Sequence, residues 1–199
     1  TLFGFTVSAS SVTYGSTAPT LAYSSDSGGA VTYSSSDTSV VSIVGSTITI
    51  VGVGDAIITA TQAESGVYTS ASATVSLSVT AATPALSVSL SASTITYGAS
   101  APTLTQSSDS GGALSYSSSN TSVATINSTS GVITIVGTGT TSFTATQAAN
   151  GNYESTTATT SLTVDAATPA LSLSLSASAI TYGDTAPTMN HTSSSAGTL

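Results

Sequence analysis

The side chains of this chain considered for metal binding, catalysis or covalent modification are its carboxylates, its one histidine and a few amides. There is no Cys, Lys or Arg, and eight Asp or Glu stand beside one His. Calcium binds several carboxylate or carbonyl oxygens, so acidic residues near domain junctions are the candidate ligands. These candidates are Asp26, Asp55, Asp109 and Asp184. The alternative is that they occupy turns, which favour Asp. Because no stretch clusters the acids, we predict no metal site and no cofactor.

Catalysis has little support in this set of residues. A pair of carboxylates can hydrolyse a glycosidic bond, but the acids here are scattered over loops. His191 lies in a C-terminal segment where it has no repeated copy. Cys and Lys, two of the residue types that serve as activated nucleophiles, are also missing. We therefore predict no catalytic residues and expect that the chain is not an enzyme.

The amides offer two modification chemistries. Gln62 and Gln147 stand at equivalent places in two copies of Thr-Ala-Thr-Gln-Ala. A Thr–Gln ester cross-link at these places would release one ammonia per bond. Three Asn-x-Ser/Thr sequons mark candidate glycosylation sites at Asn120, Asn127 and Asn190. The sequons are weak indicators, because Ser and Thr are so frequent here that such triplets arise by chance.

A Tyr-Gly-x-x-Ala-Pro-Thr motif occurs three times, at Tyr14, Tyr97 and Tyr182. An exposed tyrosine of this kind can stack on a sugar ring. The alternative is that the ring anchors its loop to the domain while Gly and Pro shape the turn.

The same motif reveals that most of the chain is a tandem repeat. The three tyrosines are 83 and 85 residues apart, a period that suits a small all-β domain. We predict repeat 1 at residues 1–82, repeat 2 at 83–167 and a partial repeat 3 at 168–199. A catalytic centre is normally built once, whereas near-copies favour a role for length, spacing or multivalent display.

The charge of the chain excludes several partners. Its formal net charge is -8. Nucleic-acid binding and docking on anionic lipid both need clusters of Lys or Arg, so we exclude both. No apolar run reaches the roughly 18 residues of a membrane helix, and we predict no membrane insertion in this segment. Ion pairs cannot stabilise the fold, so hydrophobic burial and hydrogen bonds must.

Short runs of alternating apolar and polar residues, separated by turn residues, predict strands. Seven or eight strands in about 84 residues fit a Greek-key β-sandwich. In repeat 1 the predicted strands are residues 2–8, 11–14, 20–24, 30–34, 40–44, 47–51, 56–62 and 73–79.

Period-two alternation also predicts which side chains face the core. In repeat 2 the last strand is ambiguous, with either Ser161 and Thr163 or Leu162 and Val164 inward. The other predicted inward residues are Ile48, Ile50, Ile57, Thr59, Val75, Leu77 and Val79, with Ile133, Ile135, Phe143 and Ala145 in repeat 2. Asp-Ser-Gly-Gly at 26–29 and 109–112 predicts hairpin turns with glycines at positive φ, and Gly-x-Gly at 52–54 and 137–139 predicts a second such corner.

The connection between repeats is short. Ala-Ala-Thr-Pro-Ala-Leu-Ser occurs at residues 81–87 and again at 166–172. The prolines, Pro84 and Pro169, end one domain's last strand before the next domain's first strand begins. We predict a stiff, extended rod.

The ends of the chain carry further expectations. We expect a mature chain or an excised segment, because the first residues lack the basic and apolar regions of a signal peptide. Residues 168–199 hold only the first two or three strands of another sandwich, which would leave an apolar face uncovered. Either a longer chain continues this repeat, or a neighbouring subunit completes it by strand addition.

Two segments of repeat 2, residues 118–127 and 131–146, resemble the core of bacterial immunoglobulin-like (Ig-like) domains of the invasin and intimin kind. The Tyr-Gly-x-x-Ala-Pro-Thr motif and the Gly-Asn-Tyr segment at 151–153 resemble the related MBG-type Ig-like repeats of large secreted proteins. The resemblance implies tandem Ig-like sandwiches from long cell-surface adhesins, surface-layer proteins or fibres. Such domains are mostly spacers, so it transfers no binding residues. The lack of Lys excludes the Lys–Asn isopeptide cross-links of some Gram-positive adhesin domains.

Three functional hypotheses follow. The first is a structural spacer of an extracellular fibre, adhesin or surface-layer-type protein, whose partners are neighbouring repeats or subunits of the same protein. The second is an adhesive module that binds surface glycans or proteins through its loops. The third is a self-assembling filament subunit joined by donated strands. The near identity of the loops in the two copies favours the spacer.

Overall fold

The computed structural model describes residues 3–194, and within them the chain is entirely β-structure. These residues form 18 strands and contain no helix, which confirms the predicted all-β class. Among these residues there is no helix of the length and apolar character needed to cross a membrane.

Repeat 1 contains eight strands, one for each run predicted from the alternation. Their bounds differ from the predicted ones by no more than two residues. The strands are β1 (Phe3–Val7), β2 (Ser11–Thr13), β3 (Leu21–Ser25), β4 (Val31–Ser35), β5 (Val41–Val44), β6 (Thr47–Ile50), β7 (Gly54–Gln62) and β8 (Ala71–Thr80).

The strands of repeat 1 form two layers around one core. One layer is a four-stranded sheet in the order β2-β8-β7-β4, in which β2 runs parallel to β8 and the other pairs are antiparallel. The antiparallel pairs β1–β3 and β5–β6 pack across the core from it. This two-layer arrangement is the predicted Ig-like sandwich.

Repeat 2 has the same topology. Its four-stranded sheet has the order β10-β16-β15-β12, with β10 parallel to β16, and its two pairs are β9–β11 and β13–β14. The strands are β9 (Ser87–Leu90), β10 (Thr94–Thr96), β11 (Leu104–Ser107), β12 (Leu114–Ser118), β13 (Ala124–Ile126), β14 (Ile133–Ile135), β15 (Gly139–Gln147) and β16 (Thr156–Asp165).

The third segment contributes two described strands, β17 (Leu171–Leu175) and β18 (Met189–Ser193), which pair antiparallel. They correspond to β1 and β3. The stretch that corresponds to β2 is not a strand, because β2 depends on β8 as its partner and no such strand is present among the described residues. The predicted end of the hairpin turn, at residues 195–199, lies outside the described residues.

One predicted inward face is wrong. The side chain of Ile58 is fully buried, whereas that of Ile57 is 50% exposed. The inward residues of β7 are therefore Ala56, Ile58 and Ala60 rather than Ile57 and Thr59. Two adjacent isoleucines fit either register, and the core chooses the one that places small alanines on both sides of Ile58.

In repeat 2 the equivalent of Ile58 is Phe143, which is fully buried as predicted. The ambiguous last strand is also resolved, because Leu162 and Val164 are buried. Packing against Phe143 and Val123 in one core cluster decides that register.

The predicted role of the Asp-Ser-Gly-Gly segments is also wrong. None of their glycines has a positive φ, and each segment crosses from one layer to the other instead of closing a hairpin. Glycine is required there by close backbone approach: a Cβ on Gly29 would lie 2.0 Å from the carbonyl oxygen of Ala63, and one on Gly112 would lie 2.1 Å from that of Ala148. The second corner does have the predicted positive φ, at Gly54 and Gly139.

Candidate functional site

The acidic residues do not form a binding cluster. Among residues 3–194 no three His, Cys, Asp or Glu side chains come together in a way that could hold a metal ion. Two of the candidate ligands have local structural roles instead. Asp109 Oδ1 accepts a hydrogen bond from the Ala85 amide at 2.8 Å, and Asp184 Oδ2 accepts one from the Thr181 amide at 2.8 Å.

The three sequon asparagines lie in different settings. Asn127 and Asn190 are exposed, on the β13–β14 hairpin and on β18, and Asn120 is half-buried. The Oδ1 atom of Asn127 accepts hydrogen bonds from the amides of Thr129 and Ser130 at 3.0 and 2.8 Å. This leaves glycosylation at the three positions a prediction.

The two glutamines are buried structural residues. Gln147 is 1% exposed. Its Oε1 accepts from the Ser108 hydroxyl at 2.6 Å, and its Nε2 donates to the carbonyls of Ser110 and Gly112 at 2.9 and 3.2 Å. Gln62 makes the same three bonds to Ser25, Ser27 and Gly29 in repeat 1. The hydroxyl that contacts each amide belongs to a serine, and it donates to the amide oxygen. The Thr–Gln ester stays an untested prediction.

Asp37 and Asn120 occupy equivalent turns and make equivalent bonds. Asp37 Oδ1 accepts from the hydroxyl and the amide of Ser39 at 2.6 and 2.9 Å. Asn120 Oδ1 accepts from the hydroxyl and the amide of Ser122 at 2.6 and 3.2 Å. The bonds from Ser39, first its hydroxyl and then its amide, hold the pKa of Asp37 below its ordinary value, with a smaller contribution from the amide of Val40.

This pair of turns predicts an acid-sensitive element in repeat 1 alone. The folded state binds the proton of Asp37 more weakly than the unfolded chain does. The stabilisation from this turn is therefore complete above the unfolded pKa and is lost as the pH falls through the lowered folded pKa. We expect the amide resonance of Ser39 to shift in that acid range, and the change Asp37→Asn to abolish the shift. An NMR titration checks this, with the Ser122 amide as internal control. An unchanged titration of Ser39 in the variant would contradict the assignment.

The most specific constellation in the described chain joins repeat 1 to repeat 2. A tight turn at residues 150–153, between β15 and β16, is closed by two hydrogen bonds of 3.0 Å between the backbones of Asn150 and Tyr153. We call it the docking turn. It contacts the end of repeat 1 at Ala82: the Ala82 amide donates to the Asn152 carbonyl, and the Glu154 amide donates to the Ala82 carbonyl, each at 2.9 Å. The docking turn thus adds a short parallel bridge to the chain that leaves β8.

The side chain of Asn152 makes a third bond to repeat 1. Its Oδ1 accepts from the backbone amide of Val53 at 2.9 Å. Gly52 beside it is buried, and a Cβ there would lie 2.7 Å from the carbonyl oxygen of Ser39 and 3.4 Å from Asn152 Oδ1. Glycine at 52 is therefore required by the close approach of the Ser39 carbonyl, and it shapes the β6–β7 corner whose Val53 amide the asparagine contacts.

An aromatic pair completes this junction. The rings of Tyr14 and Tyr153 meet edge to face, with centroids 5.7 Å apart and planes at 75°, a geometry that aromatic pairs favour. Tyr14 also packs against the core of repeat 1. Its ring therefore anchors the neighbouring repeat as well as its own loop.

The linker is held on both sides of its proline. Pro84 is buried, and the Asp109 carboxylate accepts from the amide of the next residue, Ala85. Residues 82 and 85, on the two sides of Pro84, are thus both hydrogen-bonded to repeat 2.

Sequence reasoning missed the junction. It identified Tyr14, the Gly-x-Gly corner at 52–54 and the Gly-Asn-Tyr segment at 151–153 separately, and it did not predict that they contact one another. The signal that could have linked them was Asn152, because repeat 1 has Val67 at that place and an asparagine in a turn tip is a good side-chain acceptor.

Part of repeat 2 matches a known protein family. Residues 101–149 match the intimin immunoglobulin-like domain family. The expected resemblance to intimin-type Ig-like domains is therefore confirmed for this segment, which contains the strands from β11 to β15. The segment ends one residue before the docking turn. The MBG-type resemblance stays a prediction.

Several solved structures are similar to the chain at low identity. A SusE-like surface-located polysaccharide binding protein from Bacteroides thetaiotaomicron has a TM-score of 0.31 and 18% identity, with 68% of this chain and 29% of that chain covered. A C-terminal fragment of intimin, in complex with the intimin-binding domain of its translocated receptor, has a TM-score of 0.32 and 13% identity, with coverages of 87% and 66%. Domains 4 and 5 of the S-layer protein SbsC have a TM-score of 0.29 and 16% identity, with coverages of 75% and 84%.

The chain therefore spans less than two thirds of the polysaccharide-binding protein and of the intimin fragment. Among proteins with curated functions, none matches the chain.

Proposed function

We propose that this chain is a structural spacer of an extracellular fibre, adhesin or surface-layer-type protein, in which tandem intimin-type Ig-like repeats set reach and stiffness. The observation that supports it most is the junction. Three hydrogen bonds and the Tyr14–Tyr153 pair join repeat 1 to repeat 2 through contacts that are far apart in sequence. A spacer requires such a junction, because a flexible connection would not transmit orientation.

The chemistry of the remaining surface supports the same proposal. With no Lys or Arg, the chain has no cationic site for a phosphate or a carboxylate ligand. Six of its eight carboxylates lie in loops and two, Asp55 and Asp165, lie on β7 and β16, and among the described residues no three of them come together. A non-enzymatic role at the cell surface or in a secreted fibre is consistent with both features, and we propose no catalytic residue.

The spacer proposal predicts that repeats 1 and 2 tumble as one body. Residual dipolar couplings from the two sandwiches should fit one alignment tensor, and small-angle scattering should give an elongated particle. Separate tensors for the two repeats in the unmodified chain would contradict the proposal.

Removing the junction side chains should uncouple the repeats. We expect the double change Asn152→Ala and Tyr153→Ala to weaken the junction by about 1–3 kcal/mol, the sum of a lost hydrogen bond and a lost aromatic contact. Each sandwich should stay folded while its alignment becomes independent. Asn190→Ala, an exposed asparagine outside the junction, is the matched control. Unchanged couplings in the double variant would show that the junction does not depend on these side chains.

A filament subunit is the second candidate, because the β17–β18 pair exposes apolar side chains. Leu171, Leu173, Leu175 and Met189 are 52–68% exposed, whereas Phe5 at the equivalent layer of repeat 1 is 8% exposed. A strand or sheet donated by a second copy would cover this face. Sedimentation over a concentration range, with electron microscopy, distinguishes the candidates: the spacer predicts isolated beaded rods and the filament predicts polymers.

A further inference from the structure

The junction surface of repeat 1 is repeated on repeat 2. The backbone amide of Tyr14 donates to the Thr80 carbonyl at 2.8 Å, and that of Tyr97 donates to the Asp165 carbonyl at the same distance. The loop that carries the tyrosine is therefore attached to the last strand in the same way in both repeats.

The corner that receives Asn152 is also reproduced. A Cβ on Gly137 would lie 2.7 Å from the Ser122 carbonyl oxygen, the distance found between Gly52 and Ser39. The next residue is Thr138, which takes the place of Val53. The backbone conformation that exposes an amide to Asn152 in repeat 1 is thus built again in repeat 2.

This second surface is formed but uncovered. The side chain of Tyr97 is 47% exposed, and that of Tyr14 is less exposed. Four other residues of repeat 1 are each more buried than the equivalent residue of repeat 2. The pairs are Gly52 and Gly137, Gly54 and Gly139, Ala82 and Ala167, and Pro84 and Pro169. In repeat 1 the docking turn of repeat 2 contacts this surface at Tyr14, Val53 and Ala82, and in repeat 2 the described residues leave the equivalent surface open.

We propose that Tyr97, Thr138 and Ala167 form a binding surface for the docking turn of a following Ig-like repeat of the repeat 2 type. Continuity with the observed junction defines the partner. It must present a backbone edge to Ala167, a side-chain oxygen to the amide of Thr138 and an aromatic ring to Tyr97. An Asn-Tyr turn tip has all three. This inference rests on the proposed spacer function and adds the rule by which one repeat follows another.

The rule distinguishes between the two kinds of repeat in the chain. Repeat 1 has an equivalent turn, closed by two hydrogen bonds of 3.1 Å between Ser65 and Tyr68. Its tip residue is Val67, 93% exposed, where the docking turn has Asn152. Valine has no oxygen to accept from a backbone amide. A repeat of the repeat 1 type should therefore dock weakly on this surface.

The test inserts a second copy of residues 83–167 after Ala167 in the full chain. Isotope labels are confined to the original residues 1–167, so that amide hydrogen exchange is read only there. We expect the amides of Thr138 and Ala167 to exchange about five- to tenfold more slowly than in the unmodified chain, because each gains a hydrogen bond. The change Asn152→Val, made only in the inserted copy, should return the Thr138 amide to its original rate.

The outcomes separate this inference from the proposed function. Unchanged exchange at Thr138, with a folded inserted repeat and a protected Val53 amide, would overturn the inference alone. An unprotected Val53 amide in the unmodified chain would instead contradict the junction on which the spacer proposal depends. Equal protection by the Asn and Val versions would overturn the rule for the tip residue.

Discussion

Phe143→Ala is expected to destabilise repeat 2 by about 3–5 kcal/mol, the range for removing a buried aromatic side chain from a packed core. Phe143 is fully buried, together with Leu162 and Val164. A small domain without disulfides or ion pairs has a total stability of only about 5–15 kcal/mol. The variant should therefore lose most of the cooperative stability of this repeat.

Amide hydrogen exchange measures this effect separately in each repeat. Amides of β15 and β16 should exchange hundreds of times faster in the variant, since about 1.4 kcal/mol corresponds to a factor of ten. Amides of β7 and β8 should change little. Thr146→Ala, at an exposed position of the same strand, is the matched control. Equal effects of the two changes would show that burial of Phe143 is not what stabilises repeat 2.

Repeat 1 carries its buried phenylalanine in the other layer of the sandwich. Repeat 1 has Ile58 at this place and carries its buried ring as Phe5 on β1, where repeat 2 has Val88. The two repeats thus place one phenylalanine on opposite sides of the sandwich. The double change Val88→Phe and Phe143→Ile reproduces repeat 1 and should retain more stability than Phe143→Ala.

Gln147→Ala is expected to lower the free energy of unfolding of repeat 2 by about 2–4 kcal/mol. The change removes three hydrogen bonds and leaves the carbonyls of Ser110 and Gly112 without the amide that now donates to them. Buried polar groups without partners are costly. The crossing segment at 109–112 should lose its attachment to β15, and Gln62→Ala should have the same effect in repeat 1.

Chemical denaturation, with exchange at β12 and β15, measures the loss. Gln106→Ala is the matched control because Gln106 is exposed on β11, and we expect a change within about 0.5 kcal/mol. Gln147→Glu provides a second check. A buried carboxylate facing two carbonyls should destabilise the repeat at neutral pH and recover part of the loss as acid protonates it. Equal stability of the Gln147 and Gln106 alanine variants would contradict the structural role.

The two glutamines show how far a local pattern extends. Their equivalence in two copies of one pentapeptide was evident from the sequence, and a covalent cross-link was one chemistry considered for them. What the pattern could not show is that each amide contacts a segment some 35 residues away. The glycines at 29 and 112 illustrate the same limit, since their need arises from a neighbouring strand rather than from their own turn.

The sequence alone determined the repeat period, the set of strands and the absence of a cationic surface. These properties follow from the recurrence of one motif, from composition and from alternation along single strands, none of which depends on how the chain packs. The tertiary structure decided which of Ile57 and Ile58 enters the core, and it joined Val53 to Asn152 across 99 residues. Both depend on which surfaces meet when the layers and the repeats pack, and a one-dimensional pattern is equally consistent with either packing.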